Sequence, residues 1–125
     1  MEKPVLTTQE ANKFARQWIA GWNAHDLDQI MAHYADNVVF TSPFVKRLGV
    51  DPAGCLQGRE ALRSYFRSAL EKFPLLKFHL HSVLVGMDAV TLVYESVNEL
   101  LAAETMAVDD AGQVTRVWAQ YDRAE

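Results

Sequence analysis

The sequence predicts an α+β domain in which the helices come first and an antiparallel strand meander follows. Three observations carry that prediction. Apolar residues recur at helical spacing in segments up to Phe73, the pattern changes to strand-like alternation from Lys77, and turn signals at 86–88 and 109–112 divide the second half. Helices grouped ahead of strands in this way pack on one face of a sheet.

The first helix is predicted over residues 8–22. Thr7 and Glu10 have capping-box spacing, and Ala11, Phe14, Ala15, Trp18, Ile19 and Trp22 share one face. Asp26 with Gln29 repeats the capping logic for a short second helix carrying Leu27, Ile30, Met31 and Tyr34. An Ala35-Asp36-Asn37 turn then leads into a short strand, Val38-Val39-Phe40. Residues 41–58 hold Pro43, Gly49, Pro52, Gly54 and Gly58 and read as a long loop. A loop of that length in a compact domain is either a lid or binding loop, or a mobile surface excursion. Residues 59–73 form the third helix, which Pro74 ends. Strands are expected at 78–85, 89–97, 99–108 and 113–121.

Composition narrows the function classes. A chain of 125 residues, half of them hydrophobic and 22% charged, reads as one globular domain spanning 1–125. The net charge of −4 and the scattered Lys and Arg argue against nucleic acid and anionic membranes as partners. With one cysteine, Cys55, no internal disulfide or Cys-rich zinc site can form. No segment reads as a signal peptide or membrane span, so a cytoplasmic location is expected. His79 and His81 share a strand face, but no third ligand is evident, and neither metal nor cofactor is assigned. Nothing resembles a phosphate-binding glycine loop or a nucleotide fingerprint.

In order and in the segments Trp22 to Pro43, Gly58 to Leu70 and Ala103 to Asp122, the chain resembles the nuclear transport factor 2-like superfamily. That superfamily includes ketosteroid isomerases, limonene epoxide hydrolases and SnoaL-type polyketide cyclases. The resemblance covers nearly the whole chain. It implies a cone-shaped curved sheet packed against about three helices, an internal pocket for a small apolar molecule, and a homodimer made by open sheet faces. The fold itself does not fix a reaction.

Taken residue by residue, the resemblance is uneven. The isomerase's basic aspartate corresponds to Ser42, which cannot abstract a proton beside a carbonyl without a base of its own. Its oxyanion tyrosine corresponds to Trp18, a hydrogen-bond donor that does not exchange a proton. Its protonated oxyanion acid corresponds to Glu104, which lies among Leu101, Ala102, Ala103, Met106 and Val108. Burial there would favour the neutral carboxyl. The epoxide hydrolase Asp-Arg-Asp set corresponds to Asn98, Ser96 and Gln120, so none of it survives.

The cyclase acid-base aspartate corresponds to Asp122, at the end of Ala119-Gln120-Tyr121-Asp122. Strand alternation puts Arg116, Trp118, Gln120 and Asp122 on one face, and the resemblance implies that this face lines the pocket. Asp122 could instead be a solvated strand end or a partner for Arg116 or Arg123, and Glu104 could form a buried ion pair with Arg116 or take a polar edge position. The expected function is binding of a small hydrophobic molecule, with isomerase- or cyclase-type proton transfer beside a carbonyl. Asp122 and Glu104 are the expected catalytic residues, and Trp18, Ser42, Tyr94, Asn98, Trp118 and Gln120 the expected ligand-binding ones. The alternative is a binding or interaction module without chemistry.

Overall fold

A computed structural model describes residues 6–124. Helix α1 (Thr8–Asn23) starts at the expected capping box. The Thr7 N–H donates to Glu10 Oε1 at 2.9 Å, and the Glu10 N–H donates to Thr7 Oγ1 at 3.0 Å. Its buried stripe is Ala11, Phe14, Ala15, Trp18 and Trp22. Asp26 caps α2 (Leu27–Met31) by accepting the Gln29 N–H at 3.1 Å.

Two expectations for the next segment are corrected. Tyr34 opens strand β1 (Tyr34–Thr41) rather than closing the helix, and residues 35–37 belong to that strand instead of forming a turn. The irregular register between Tyr34 and Val39 lets Asp36 and Asn37 face solvent while Tyr34 stays buried. The Tyr34 phenol is the partner of the Trp18 indole N–H, at 2.9 Å.

The 41–58 segment is more ordered than a loop. It contains α3 (Pro43–Arg47) and β2 (Cys55–Gln57). Ser42 caps α3 by accepting the Phe44 N–H at 3.2 Å, and Pro43 occupies the first turn, where no N–H is needed. The return to β2 passes through Gly54 at φ 72°, where a Cβ would stand 3.0 Å from the Ser42 carbonyl oxygen. That position requires glycine on both counts. Helix α4 (Arg59–Lys72) then buries Leu62 and Phe66.

Strands β3 (His79–Val85), β4 (Ala89–Glu95), β5 (Leu101–Val108) and β6 (Val114–Tyr121) follow in the expected order, but β4 stops before and β5 starts after the expected bounds, because Val97–Glu99 form a 3-10 turn between them. The strands make one curved six-stranded sheet in the order β2-β1-β6-β5-β4-β3. It is not wholly antiparallel, because β1 and β6 run parallel. Its inner face, including Val90, Leu92, Tyr94, Met106, Val117 and Ala119, is buried with the apolar sides of α1 and α4.

Candidate functional site

Between the inner sheet face and α4, with α3 at one side, lies a cavity of about 920 Å³. Most of its wall is aromatic or aliphatic, including Trp22, Phe40, Phe44, Phe66 and Phe78. A cavity of this size and character suits a small apolar ligand. Among its described lining residues the only acid is Glu104.

Glu104 points inward from β5 because it alternates with Ala102 and Met106, both buried, and faces Leu92 and Ala119 across the ladder. One carboxyl oxygen, Oε1, accepts the Tyr94 hydroxyl at 2.7 Å. The other, Oε2, is buried without a hydrogen-bond partner among the described residues. Burial pushes the Glu104 pKa up to about 7, only partly offset by the bond from Tyr94. The carboxyl therefore changes protonation state near neutral pH.

The phenols around it stay protonated. Burial, helped by the Glu104 charge, pushes Tyr65 up to about 12 and raises Tyr94 and Tyr121 further. The neighbouring Ser42 hydroxyl works against this for Tyr65 and Tyr121. The Tyr121 ring packs edge-on against Phe44, with centroids 4.6 Å apart, which ties α3 to the end of β6. Trp22 is the other unsatisfied group of the wall, its indole N–H buried without a partner among the described residues.

A sequence model of the SnoaL-like domain matches residues 15–123. The chain belongs to the SnoaL-like family. This SnoaL-like domain is similar to a crystallised SnoaL-like protein of unknown function from Burkholderia thailandensis. The two share 36% identity and a TM-score of 0.93, over 97% of this chain and 100% of the other. A candidate ketosteroid isomerase from Kribbella flavida superimposes with a TM-score of 0.72 at 16% identity, covering 94% of this chain and 82% of that one. AclR, a candidate hydroxylase from Streptomyces galilaeus, does so at 0.71 and 17%, covering 93% and 91%. At those two identities the likeness is one of fold alone. No curated protein matches the chain.

The SnoaL-like domain brings some of the expected residues together and separates others. Glu104, Tyr94 and Asn98 line the cavity, Asn98 in a left-handed conformation with φ 56°. Ser42 is buried at the α3 cap and does not line it. Trp18 is also absent from the wall, because its N–H is engaged by Tyr34 and its ring packs between Phe78 and Tyr94.

The expected orientation of the last strand is reversed. Val117, Ala119 and Tyr121 face inward, while Arg116, Trp118, Gln120 and Asp122 lie on the outer side. Trp118 is 40% exposed, with the Arg116 guanidinium 5.0 Å from its ring centroid. Arg116 also donates to Thr41 Oγ1 at 3.0 Å, so the ion pair with Glu104 does not form. Asp122 is exposed, and its carboxylate accepts the Leu101 N–H at 3.2 Å. From there it fastens the end of the β5–β6 ladder and does not reach the cavity.

The cavity residues that sequence reasoning missed are chiefly Trp22, Tyr121, Arg47 and Lys72. His79 and His81 are exposed, and His25 is tied to the Leu76 carbonyl at 2.8 Å. Among the described residues no cluster of three or more His, Cys, Asp or Glu could hold a metal ion. No described helix is long and apolar enough to cross a membrane.

Proposed function

We propose that this SnoaL-like domain, residues 1–125 acting as one unit, is a small proton-transfer enzyme of the isomerase or cyclase type. It acts on an apolar carbonyl compound and uses Glu104 rather than Asp122. The observation that carries the reading is that, among the described residues, a single buried carboxyl lines an aromatic cavity, with one oxygen held by Tyr94 and the other unpaired. A base poised near neutral pH is what abstraction of a proton beside a carbonyl needs.

In this reading the Glu104 carboxylate takes the proton from the carbon next to the carbonyl. The C–H electron pair forms the enolate carbon–carbon double bond, and the carbonyl π pair moves to oxygen. The indole N–H of Trp22 and the phenols of Tyr65 and Tyr121 are the wall donors available to that oxygen. Where a β,γ double bond makes the enolate a dienolate, return of the proton from Glu104 to its γ carbon completes an isomerisation. Attack of the enolate carbon on a second carbonyl, whose oxygen takes the proton back from Glu104, completes a cyclisation. The apolar wall excludes water from the intermediate.

The test is deuterium uptake. Carbonyl ligands selected by native mass spectrometry from steroids, cyclic ketones and polyketide-like aromatics are incubated with the protein in heavy water. Label is expected at the α carbon with the wild type and not with Glu104→Gln. A retained ligand that takes up no label favours the second reading, a carrier without chemistry. What supports that alternative is the absence of any second acid from the described lining residues.

We further infer a homodimer through the outer sheet face, in the cytoplasm. Support for the dimer comes from Trp118, Leu101 and Leu84, which are 40%, 43% and 60% exposed on the outward strand positions. A cytoplasmic setting suits the free thiol of Cys55. Sedimentation velocity is expected to give twice the 14.1 kDa chain mass. A monomer at micromolar concentration would remove the dimer.

A further inference from the structure

The cavity has a charge pattern that its apolar wall does not require. Its solvent-facing lining residues, which mark the mouth, include Arg47 at the end of α3 and Lys72 at the end of α4. Among the described residues neither forms an ion pair with a carboxylate. Both lie over aromatic rings of the same wall, with the Arg47 guanidinium 5.8 Å from the Phe44 centroid and the Lys72 ammonium 5.7 Å from that of Phe73. Such stacking steadies a cationic head while leaving its hydrogen-bond donors free.

This is opposite to the balance of the chain, which has 16 acids against 12 Lys and Arg. The one acid of the wall, Glu104, is buried in the interior rather than exposed at the mouth. A second, shallower depression of about 360 Å³ adjoins the mouth and shares Lys72, Phe73, Leu76 and Asn98 with the main cavity. It adds another cation, Lys77, and no acid among the described residues lines it.

We propose that the ligand is an amphipathic anion, with an apolar body in the cavity and an anionic group held at the mouth by Arg47 and Lys72. The proposal rests on the reading of this cavity as the ligand site and adds the chemical class of the ligand. A neutral apolar molecule would leave both cations unengaged, whereas a carboxylate or phosphate accepts from both. The anion has two sources. A free acid ends at Arg47 and Lys72, while a phosphate-bearing arm continues into the adjoining depression and reaches Lys77. Either orientation sends the body inward toward Glu104, so the rim cations set which end of the ligand meets the carboxyl.

Calorimetric titration with decanoate, decyl phosphate and 1-decanol tests this. At low salt the wild type is expected to bind at least one of the anions about tenfold more tightly than 1-decanol, the combined worth of two partly exposed charge pairs. In the Arg47→Gln/Lys72→Gln variant that gap is expected to close while the affinity for 1-decanol is unchanged. An additional loss in Lys77→Gln confined to decyl phosphate identifies the phosphate-bearing arm. Preference for decanoate that is indifferent to Lys77→Gln identifies the free acid. Equal binding of 1-decanol and both anions overturns the rim assignment and leaves the cavity reading intact. Failure of all three probes to bind overturns both.

Discussion

Glu104→Gln is expected to give a protein that is more stable than the wild type at pH 8 and has lost its turnover. In the folded chain the Glu104 pKa of about 7 stands above its ordinary 4.5, because burial penalises the charge. Between those values the folded chain keeps a proton that the unfolded chain has released. The stability that goes with the neutral carboxyl is therefore complete below about pH 4.5 and is lost as pH rises through about 7. Each pH step across that window removes about 1.4 kcal/mol, for a loss of roughly 3 kcal/mol in all.

Glutamine cannot ionise, keeps an acceptor for Tyr94 and has nearly the same shape. Urea unfolding at pH 5 and pH 8 is expected to show the variant close to wild type at pH 5 and about 1–3 kcal/mol more stable at pH 8. Turnover of any substrate found by deuterium uptake is expected to fall roughly 10²–10⁴-fold, the usual contribution of a general base. Parallel stability profiles for the two proteins would mean that Glu104 is not a strained buried carboxyl. Opposite movement of stability and activity is what a functional group held against its physical preference produces.

Trp18→Ala has the largest expected effect on folding. Trp18 is 1% exposed, with ring centroids 5.8 Å from Phe78 and 5.2 Å from Tyr94. Removing a buried Trp side chain costs about 3–5 kcal/mol through lost burial and the void left behind. The Tyr34 hydroxyl also loses its 2.9 Å partner in a fully buried setting, which adds about 1–3 kcal/mol. Domains are commonly stable by about 5–15 kcal/mol, so the variant is expected at or near the unfolding threshold at 25 °C. Trp18→Phe keeps most of the packing and orphans only the phenol, for an expected loss of about 1–3 kcal/mol. Near-wild-type urea midpoints for Trp18→Ala would show that the α1–sheet core is held elsewhere.

The elements that sequence periodicity predicts well are those that bury a continuous stripe, α1, α4 and β4 to β6, while β3 half-buries only Leu80, Val83 and Val85. Helix α3 is five residues long, below the length at which helical pattern carries information, and it exists through its Ser42 cap and the packing of Phe44 on Tyr121. The burial of Glu104 is readable, because it alternates with Ala102 and Met106 on one strand. The phase of β6 is readable as well, since Arg116, Gln120 and Asp122 are polar and Val117, Ala119 and Tyr121 are not. The aromatic Trp118 and the cyclase-like strand ending point the opposite way. Trp18 and Trp22 share one helix face, and only the placement of α1 along the sheet decides which of them reaches the cavity. Periodicity holds no information on that placement.

The parallel pairing of β1 with β6 has a consequence for biosynthesis. Strands β2-β1 lie on one side of β6 and β5-β4-β3 on the other, so no ladder joins the two groups until residues 114–121 take their place. During translation the early strands emerge with an unpaired edge and wait for nearly the whole chain. Vectorial, piecewise completion of the sheet is closed to this topology, and closure depends on contacts far apart in sequence, which form slowly. The edge strands left open in the interval are what a nascent-chain chaperone would have to shield.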